Sequence, residues 1–281
     1  MNIIALGNGA CNVADAFSKY PQYKIYKINV DIQGERCYNI SKCETAEEYE
    51  AVSLPKIKSF FKGIKGETLF IVGGGGKISC ACLKIMQHIK KLPISILYLK
   101  PDLEILNEVQ KMQERLVFGV LQEYTRSGVF EKIYITSVPK IENAVGGAPI
   151  LGYYDKINEA LVSTMHMINV FHNTESIMGS LARSKETYRI ISIGIFDMKN
   201  NSEKMFFSLD KPRDKCYIYS INENRLKTDE ELYTRLKNQI KTKEQDNLNI
   251  SFAIYANDYE YDLGYIIERT PHIQTNTKSA E

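Results

Sequence analysis

Four consecutive glycines, Gly73 to Gly76, separate a strand-like apolar run at 68–72 from a helix-like run at 77–91. A strand that turns into a helix through bare backbone directs its N–H groups outward, and the helix start adds the positive end of its dipole. Glycine suits such a turn because any side chain would keep an anion away from the main chain. A flexible surface loop is the simpler interpretation, but such loops seldom lie between an apolar strand and an apolar helix. The pattern therefore predicts an anion-binding turn, with a nucleotide as the expected ligand.

A second glycine turn follows the first predicted strand, at 2–6, and precedes a helix-like run that begins at Val13. The turn reads Gly7-Asn8-Gly9-Ala10-Cys11-Asn12, a near match to the dinucleotide-binding fingerprint in which Asn12 stands at the last glycine position. Each turn alone is a weak signal. Two of them on strands of one sheet favour a nucleotide held between two loops.

Composition limits the classes of function. The chain has 281 residues, 44% hydrophobic and 25% charged, with a net charge of +2, which argues against a dedicated nucleic-acid or membrane surface. No apolar stretch reaches the length of a membrane span, and the N-terminus lacks a signal-peptide pattern. The six cysteines form no C-x-x-C pair, so we expect reduced thiols and a cytoplasmic protein. The four histidines have no metal-ligand spacing, and no metal site is predicted.

Strand and helix patterns alternate through the first part of the chain. Strands are predicted at 2–6, 23–28, 68–72, 94–99 and 132–136, and helices at 10–19, 46–61 with a break near Pro55, 77–91, 103–125 and 153–171. This alternation predicts an α/β fold: a parallel Rossmann-like sheet with helices on both faces and a central helix. Ligands of such sheets bind beyond the carboxyl ends of the strands, where both glycine turns fall.

The pattern of predicted strands and helices changes after the central helix. Strands are predicted at 188–197, 204–209, 216–221, 248–255 and 261–268, with an amphipathic helix at 228–243. We therefore expect a nucleotide-binding domain at 1–171, a smaller mixed α/β domain at 172–269, and a loose polar tail at 270–281.

The predicted helix at 103–125 carries apolar residues at helical spacing. We expect this apolar set to pack on the sheet: Leu106, Val109, Met112, Leu116, Val120 and Leu121.

The strand ends, read in order, resemble the GTP-binding domain of the tubulin/FtsZ family. After the first strand comes Gly7-Asn8-Gly9-Ala10-Cys11-Asn12, and after the second comes Asn29-Val30-Asp31. The four glycines with Lys77 follow the third, Lys100-Pro101-Asp102 the fourth, and Ser137-Val138-Pro139 the fifth. The resemblance covers about two thirds of the chain. It implies a GTP or GDP ligand, optionally with Mg²⁺, and a head-to-tail homopolymer as the partner, without direct contact to nucleic acid or membrane.

The resemblance also implies roles for individual residues. The backbone of the first turn, Gly7 to Cys11, would wrap the phosphates, Asn12 would reach the guanine, and Asn29 and Asp31 would lie near the ribose and outer phosphates. The main phosphate cradle would be Gly73, Gly74, Gly75, Gly76 and Lys77. On the central helix, Tyr154 would stack on guanine and Asn158 would bond its edge, while Arg115 would stand near the nucleotide. Each has a simpler interpretation: a helix cap for Asn12, turn chemistry for Asp31, and a core position for Tyr154.

The sequence departs from the family at two places. Lys77-Ile78-Ser79 replaces small residues in the cradle, which narrows the space near the γ-phosphate while adding a cation. The loop that supplies carboxylates to the next subunit's nucleotide matches residues 176–184, which contain no acid. Glu186 beside this loop and Arg183 within it, as an arginine finger, are the weak candidates for catalysis. We therefore expect GTPase activity that is slow or lost.

Three hypotheses for function remain open at this point. The leading one is a filament-forming, GTP-binding cytoskeletal protein with nucleotide at the subunit interface. The second is a Rossmann-type NAD(P) enzyme, in which Asp31 would hold a ribose. The third is a non-catalytic assembly protein that keeps the fold but has a degenerate nucleotide site.

Overall fold

The computed structural model describes residues 1–181 and 185–275. In the first half, strands and helices alternate. The elements are β1 (Asn2–Leu6), α1 (Asn8–Phe17), β2 (Lys24–Asn29), β3 (Cys37–Asn39), α2 (Ala46–Ala51), α3 (Ile57–Phe60), β4 (Thr68–Gly73), a 3₁₀ helix (Lys77–Ala81), α4 (Cys82–Gln87), β5 (Ile94–Lys100), α5 (Glu108–Arg126), β6 (Lys132–Ser137), α6 (Val138–Ala144) and α7 (Tyr153–His172).

The second half is richer in strands. Its elements are β7 (Met178–Gly179), β8 (Ile190–Asp197), β9 (Ser202–Met205), β10 (Asp214–Asn222), α8 (Glu223–Thr228), α9 (Leu232–Lys241), β11 (Asn249–Asn257) and β12 (Leu263–Thr270). Among the residues described, no helix is both long enough and apolar enough to cross a membrane.

One sheet runs through both halves, in the order β3-β2-β1-β4-β5-β6-β8-β12-β10-β11-β7, with β9 paired to β8. The first six strands are parallel and have the 3-2-1-4-5-6 order of doubly wound nucleotide-binding sheets. Strand order reverses between β1 and β4, the two strands that precede the glycine turns. The predicted fold class is therefore confirmed.

The two halves of the sheet meet at a short junction. β6 pairs with β8 through Ile133–Ile190 and Tyr134–Ile191 alone, after which the two strands diverge. The predicted domain boundary near 172 thus falls within a continuous sheet, and the division into domains remains a prediction.

Buried side chains fill both faces of the sheet. On one face, α1, α6 and α7 contribute apolar side chains to a common cluster that extends into the second half. On the other face, α2 to α5 cover β1, β4, β5 and β6. A third cluster lies beneath α9. The central strands β1 and β4 are nearly continuous apolar runs because both of their faces are covered.

Some predicted bounds were wrong for local reasons. Helix α5 begins at Glu108 instead of 103 because Asn107 and Gln110 form a capping box, with backbone-to-side-chain bonds of 2.9 and 3.1 Å. The helix expected at 77–91 is a 3₁₀ turn followed by the short α4, and the helix expected at 228–243 is α9 alone. The short strands β3 and β7 were missed.

The predicted tail begins too early. Thr270 and Gln274 are buried, and Gln274 exchanges two hydrogen bonds with Gln122 of α5, of 2.7 and 3.1 Å. Its side chain also accepts a bond from the backbone N–H of Asp210. Residues 270–275 are therefore packed against the first half of the sheet, and 276–281 lie outside the described residues.

The predicted packing face of α5 was also wrong. Val109, Met112, Leu116 and Val120 are exposed, and of the apolar set Leu121 alone is fully buried. The buried face of α5 instead carries several polar residues: Gln113, Glu114, Gln122 and Thr125. Glu114, Gln122 and Thr125 have specific hydrogen-bond partners, which orient the helix opposite to its hydrophobic pattern.

A charge cluster stabilises the second half. Glu203 of β9 accepts hydrogen bonds from Lys215 at 2.7 Å and Tyr217 at 2.6 Å, and pairs with Lys243 at 3.0 Å. Burial alone would raise the pKa of Glu203, but these three partners outweigh it and lower that pKa to about 2.

Candidate functional site

The two glycine turns lie side by side. β1 and β4 are parallel neighbours with Leu6 opposite Val72, so Gly7 and Gly73 leave the sheet at the same level of its carboxyl edge. Gly7 has φ +86°, and a Cβ there would lie 2.9 Å from the Ile78 side chain. Only glycine meets both constraints. The predicted convergence of the two turns is thus present in the structure.

The start of α1 presents free backbone N–H groups. The first helical bond runs from the Cys11 N–H to the Gly7 carbonyl at 2.9 Å, and the Gly7 N–H donates to Ile28 O at 3.0 Å. The N–H groups of Asn8, Gly9 and Ala10 therefore have no acceptor within the helix. The amides of Gly7 and Cys11, which the resemblance also assigned to the phosphates, already donate to protein carbonyls.

The second turn is fixed by the sheet and by Ser79. The Gly74 N–H donates to Leu99 O at 3.0 Å, and the Ser79 hydroxyl donates to Gly73 O at 2.6 Å. A Cβ added at Gly76 would meet only the Ser79 hydroxyl, at 3.8 Å. Gly76 is therefore open, and a ligand can approach its backbone closely.

A buried polar group supports Gly74 from behind. Glu114 accepts hydrogen bonds from Lys100 at 2.8 Å and Tyr98 at 3.0 Å, and a Cβ at Gly74 would overlap both the Tyr98 hydroxyl and the Glu114 side chain. Burial lowers the pKa of Lys100, against the effect of Glu114, and burial raises that of Tyr98. Gly74 is thus required by core packing as well as by any ligand.

The turns open into a cleft of about 910 Å³, within the range of small-molecule sites. Most of the predicted binding residues line it: Gly7, Asn8, Gly9, Ala10, Asn29, Asp31, Gly73, Gly74, Gly76, Lys77, Tyr154 and Asn158. Residues from five strand ends and from α7 therefore converge on one space, although they are spread over about 150 positions of the sequence.

Four predicted residues do not line this cleft. The Cys11 thiol is buried and points towards Ala5 O and Ile28 O, each at 3.9 Å, and burial raises its pKa to about 11. Asn12 is exposed, five residues into α1, so it is not a helix cap either. Gly75 has φ +75° and lies against Leu106, while Arg115 is exposed on α5.

The start of α7 forms the opposite wall of the cleft. Tyr154 is 58% exposed and lies edge-on to Tyr153, with ring centroids 5.1 Å apart. The Tyr153 hydroxyl donates to Glu142 at 2.7 Å, a bond that together with burial raises the pKa of Tyr153 to about 12. Tyr154 is therefore held beside a fixed neighbour with its own ring open to the cleft, so the core interpretation does not apply.

Sequence reasoning missed the segment between β3 and α2. Lys42, Cys43 and Glu44 line the cleft, and the Lys77 ammonium donates to the Glu44 carbonyl. No motif marks this segment. It reaches the site because the three-residue strand β3 pairs with β2 at the sheet edge.

The described part of the candidate hydrolysis loop, residues 176–181, lies at the opposite edge of the sheet. β7 is paired with β11, with Met178 opposite Ile254, and Leu181 packs against the core. Glu186 is exposed just before β8. Arg183 lies outside the described residues.

Comparisons with known proteins now bear on this arrangement. No protein-family model and no curated protein matches the sequence. A crystal structure of a GTPγS-form protofilament of TubZ from Bacillus thuringiensis serovar israelensis superposes with a TM-score of 0.70 at 16% identity, covering 95% of this chain and 86% of that one. An empty FtsZ dimer from M. jannaschii gives 0.67 at 10% identity, covering 95% and 87%. This chain has the TubZ/FtsZ fold.

The TubZ/FtsZ fold extends over both halves of the sheet. A helical model of a four-stranded TubZ-Bt filament matches with a TM-score of 0.71 at 15% identity, over 95% of this chain and 85% of that one. The likeness therefore includes the strands of the second half, which the strand-end motifs did not reach. The resemblance drawn from the sequence is confirmed at the level of the fold.

Proposed function

We propose that this protein binds GTP or GDP in the cleft and assembles head to tail into filaments, with slow or absent hydrolysis. The observation that carries the proposal is the adjacency of the two glycine turns at the strand-order reversal, with three helix amides free beside them. The bound-nucleotide and filament forms named for TubZ structures of the same fold agree with it.

The cleft suits a nucleotide with its phosphates at the turns and its base at α7. The amides of Asn8, Gly9 and Ala10 provide donors and a helix dipole for the phosphates, and the open backbone at Gly76 faces them. Tyr154 offers a face for stacking, and Asn158, one turn further along α7, offers an amide for the base edge. Lys42 and Lys77 add positive charge at the wall of the cleft.

Mg²⁺ would be held mainly by the phosphates themselves. Asp31 and Asp102 line the cleft and can contribute oxygen ligands, which this ion prefers. Across 1–181 and 185–275, no three histidine, cysteine or acidic side chains converge on a metal position. We therefore expect the metal to bind with the nucleotide, not before it.

Head-to-tail stacking follows from the position of α7. Its 20 residues span about 30 Å, from the cleft at Tyr153 to the opposite edge of the sheet at His172. A second copy stacked on the cleft would place residues 173–181 over the nucleotide. This segment contains one acid, Glu175, and is tied to β11 through β7, so it presents few groups that could orient an attacking water. Slow turnover is the expected consequence.

The test is to identify the copurified nucleotide by chromatography of denatured protein, and then to image the protein with GTP, with GDP and without nucleotide. Guanine nucleotide together with GTP-dependent filaments supports the proposal. A bound dinucleotide would instead support the NAD(P) hypothesis.

A non-catalytic assembly protein is the second candidate, and one observation favours it. The Ile78 side chain lies against Gly7, between the two turns, and Lys77 joins the glycine turn to the Glu44 segment. Side chains of the protein thus take up part of the space near the turns. Filaments from nucleotide-free protein, unaffected by GTP, would support this candidate.

A further inference from the structure

Two lysines from the segment after the glycine turn hold the short helix α2 at its two ends. The Lys77 ammonium donates to the backbone carbonyl of Glu44, just before α2. The Lys84 ammonium donates to the carbonyl of Ala51, the last residue of α2, at 2.9 Å. The Lys77 contact lies at the wall of the cleft, whereas neither Lys84 nor Ala51 lines it.

The two ends of α2 differ in what a cation gains there. The last carbonyl groups of a helix have no partner within it, and the helix dipole is negative at that end, so a lysine such as Lys84 is favourable. Lys77 lies at the opposite end, where the dipole is positive and disfavours a cation. Glu48 in the first turn is negatively charged, but its carboxylate is bonded to the Glu44 N–H at 2.8 Å. The Lys77 ammonium is therefore held by a neutral acceptor at the less favourable end of the helix.

Lys77 is placed to meet the far end of a phosphate chain. It directly follows Gly76, whose backbone is open to a ligand. The base wall of the cleft belongs to α7 on one face of the sheet, whereas Tyr49 of α2 and Ile78 belong to the apolar cluster of the other face. A nucleotide that starts at α7 and crosses the sheet edge between the two glycine turns would bring its last phosphate towards Lys77.

We propose that Lys77 is a latch that exchanges the Glu44 carbonyl for the terminal phosphate of a bound nucleoside triphosphate. The latch rests on the proposed nucleotide-binding function and adds to it a way to distinguish triphosphate from diphosphate. An ammonium bonds a charged phosphate oxygen more strongly than a neutral carbonyl oxygen, and the flexible four-carbon stem of lysine permits the exchange. A diphosphate is one phosphate shorter and would leave Lys77 on Glu44.

Release of the latch would free the segment before α2. Among the described residues, Lys77 is the one donor to the Glu44 carbonyl, so residues 42–44 would lose this bond to the glycine turn. Thr45 would still cap α2, through the bond of 3.2 Å from the Glu48 N–H, and Tyr49 would stay buried. The expected response is local: one wall of the cleft loosens when triphosphate binds, and α2 stays in place.

The test compares Lys77→Met with Lys84→Met. Methionine keeps an unbranched side chain without the charge, so each variant loses one of the two contacts at the ends of α2, and Lys84→Met is the matched control. Calorimetric titration with GTP and GDP measures the ratio of the two affinities. Titration with inorganic tripolyphosphate and pyrophosphate measures the same ratio without the base. Amide hydrogen exchange at residues 42–44 reports the release of the latch.

In the wild type, GTP and tripolyphosphate should accelerate amide exchange at residues 42–44, whereas GDP and pyrophosphate should not. Lys77→Met should show this faster exchange without any ligand. It should bind GTP about tenfold more weakly, because one bond to a charged group is lost, while its affinity for GDP changes by less than about twofold. Lys84→Met should keep the wild-type ratio of GTP to GDP affinity.

The latch is overturned if the affinities for GTP and GDP fall equally in Lys77→Met, or if exchange at residues 42–44 does not respond to triphosphate. A different result separates the latch from the proposed function. If tripolyphosphate binds and accelerates exchange at residues 42–44 while guanine nucleotides do not bind, the GTP proposal fails and the latch is supported. If neither polyphosphate nor nucleotide binds, both fail.

Discussion

Gly9 offers a direct test of the cleft. It is the second residue of α1, its N–H has no acceptor in the helix, and a Cβ built there meets no atom within 4 Å. A Cβ added here meets no protein atom, and a valine adds bulk beside the Gly9 and Ala10 amides, where a phosphate would approach. Gly9→Val should therefore remove ligand binding while leaving the fold intact.

The magnitude follows from the hydrogen bonds lost. A bond to a charged group contributes about 1.5–3 kcal/mol, so losing two of them costs about 3–6 kcal/mol, or at least a hundredfold in Kd. The free energy of unfolding should change by only a few tenths of a kcal/mol, because glycine and valine differ little in helix propensity.

The assay is titration of purified protein with GTP by calorimetry, alongside thermal unfolding of the free protein. Gly119→Val is the control, because Gly119 also lies in a helix, a Cβ added there would meet no atom within 4 Å, and the position is remote from the cleft. If Gly9→Val binds GTP within about threefold of wild type while the control behaves normally, the phosphate position is wrong.

Three further changes test other parts of the structure. Tyr154→Ala should weaken nucleotide binding by about 1–3 kcal/mol through lost stacking, measured by the same titration, whereas the exposed Tyr233→Ala should have no effect. Gly74→Ala should lower the free energy of unfolding by about 1–3 kcal/mol even without ligand, because its Cβ overlaps the Tyr98 hydroxyl; unchanged denaturant unfolding would contradict this. Glu203→Gln should cost up to about 3 kcal/mol at pH 7, since the folded pKa of about 2 lies below the ordinary value of 4.5. That stability is present above pH 4.5 and is lost as pH falls towards 2, so denaturation of the two proteins should converge in acid; a constant gap would refute the charge assignment.

The sequence was sufficient for the parts of the site that depend on local backbone. Each glycine turn follows a buried strand, and parallel neighbours bring such turns to one edge, so the meeting of Gly7 and Gly73 could be predicted. Tyr154 and Asn158 were assigned to the site from the family resemblance, and both line the cleft.

The other features of the fold and the site depend on contacts between residues that are far apart in the sequence. The face of α5 was predicted from its hydrophobic pattern, yet Glu114 is paired with Lys100 and Gln122 with Gln274, partners that no local pattern reveals. Lys42 reaches the cleft through the pairing of β3, which is too short to leave a periodic signal. Gly74 was interpreted as facing the ligand alone, because the Tyr98 hydroxyl behind it belongs to another strand.

The return of residues 270–275 to α5 has a mechanical consequence. The halves of the sheet are joined by the pairing of β6 with β8, by the Ser137 N–H that donates to Phe206 O at 2.7 Å, and by the two bonds between the Gln122 side chain and the backbone of Gln274. A tilt of one half against the other that breaks these two bonds would uncover the side-chain amide of Gln122 and the backbone N–H and C=O of Gln274. A movement of the second half would thereby displace α5. Because Glu114 of α5 lies behind Gly74, the glycine turn would be displaced with it.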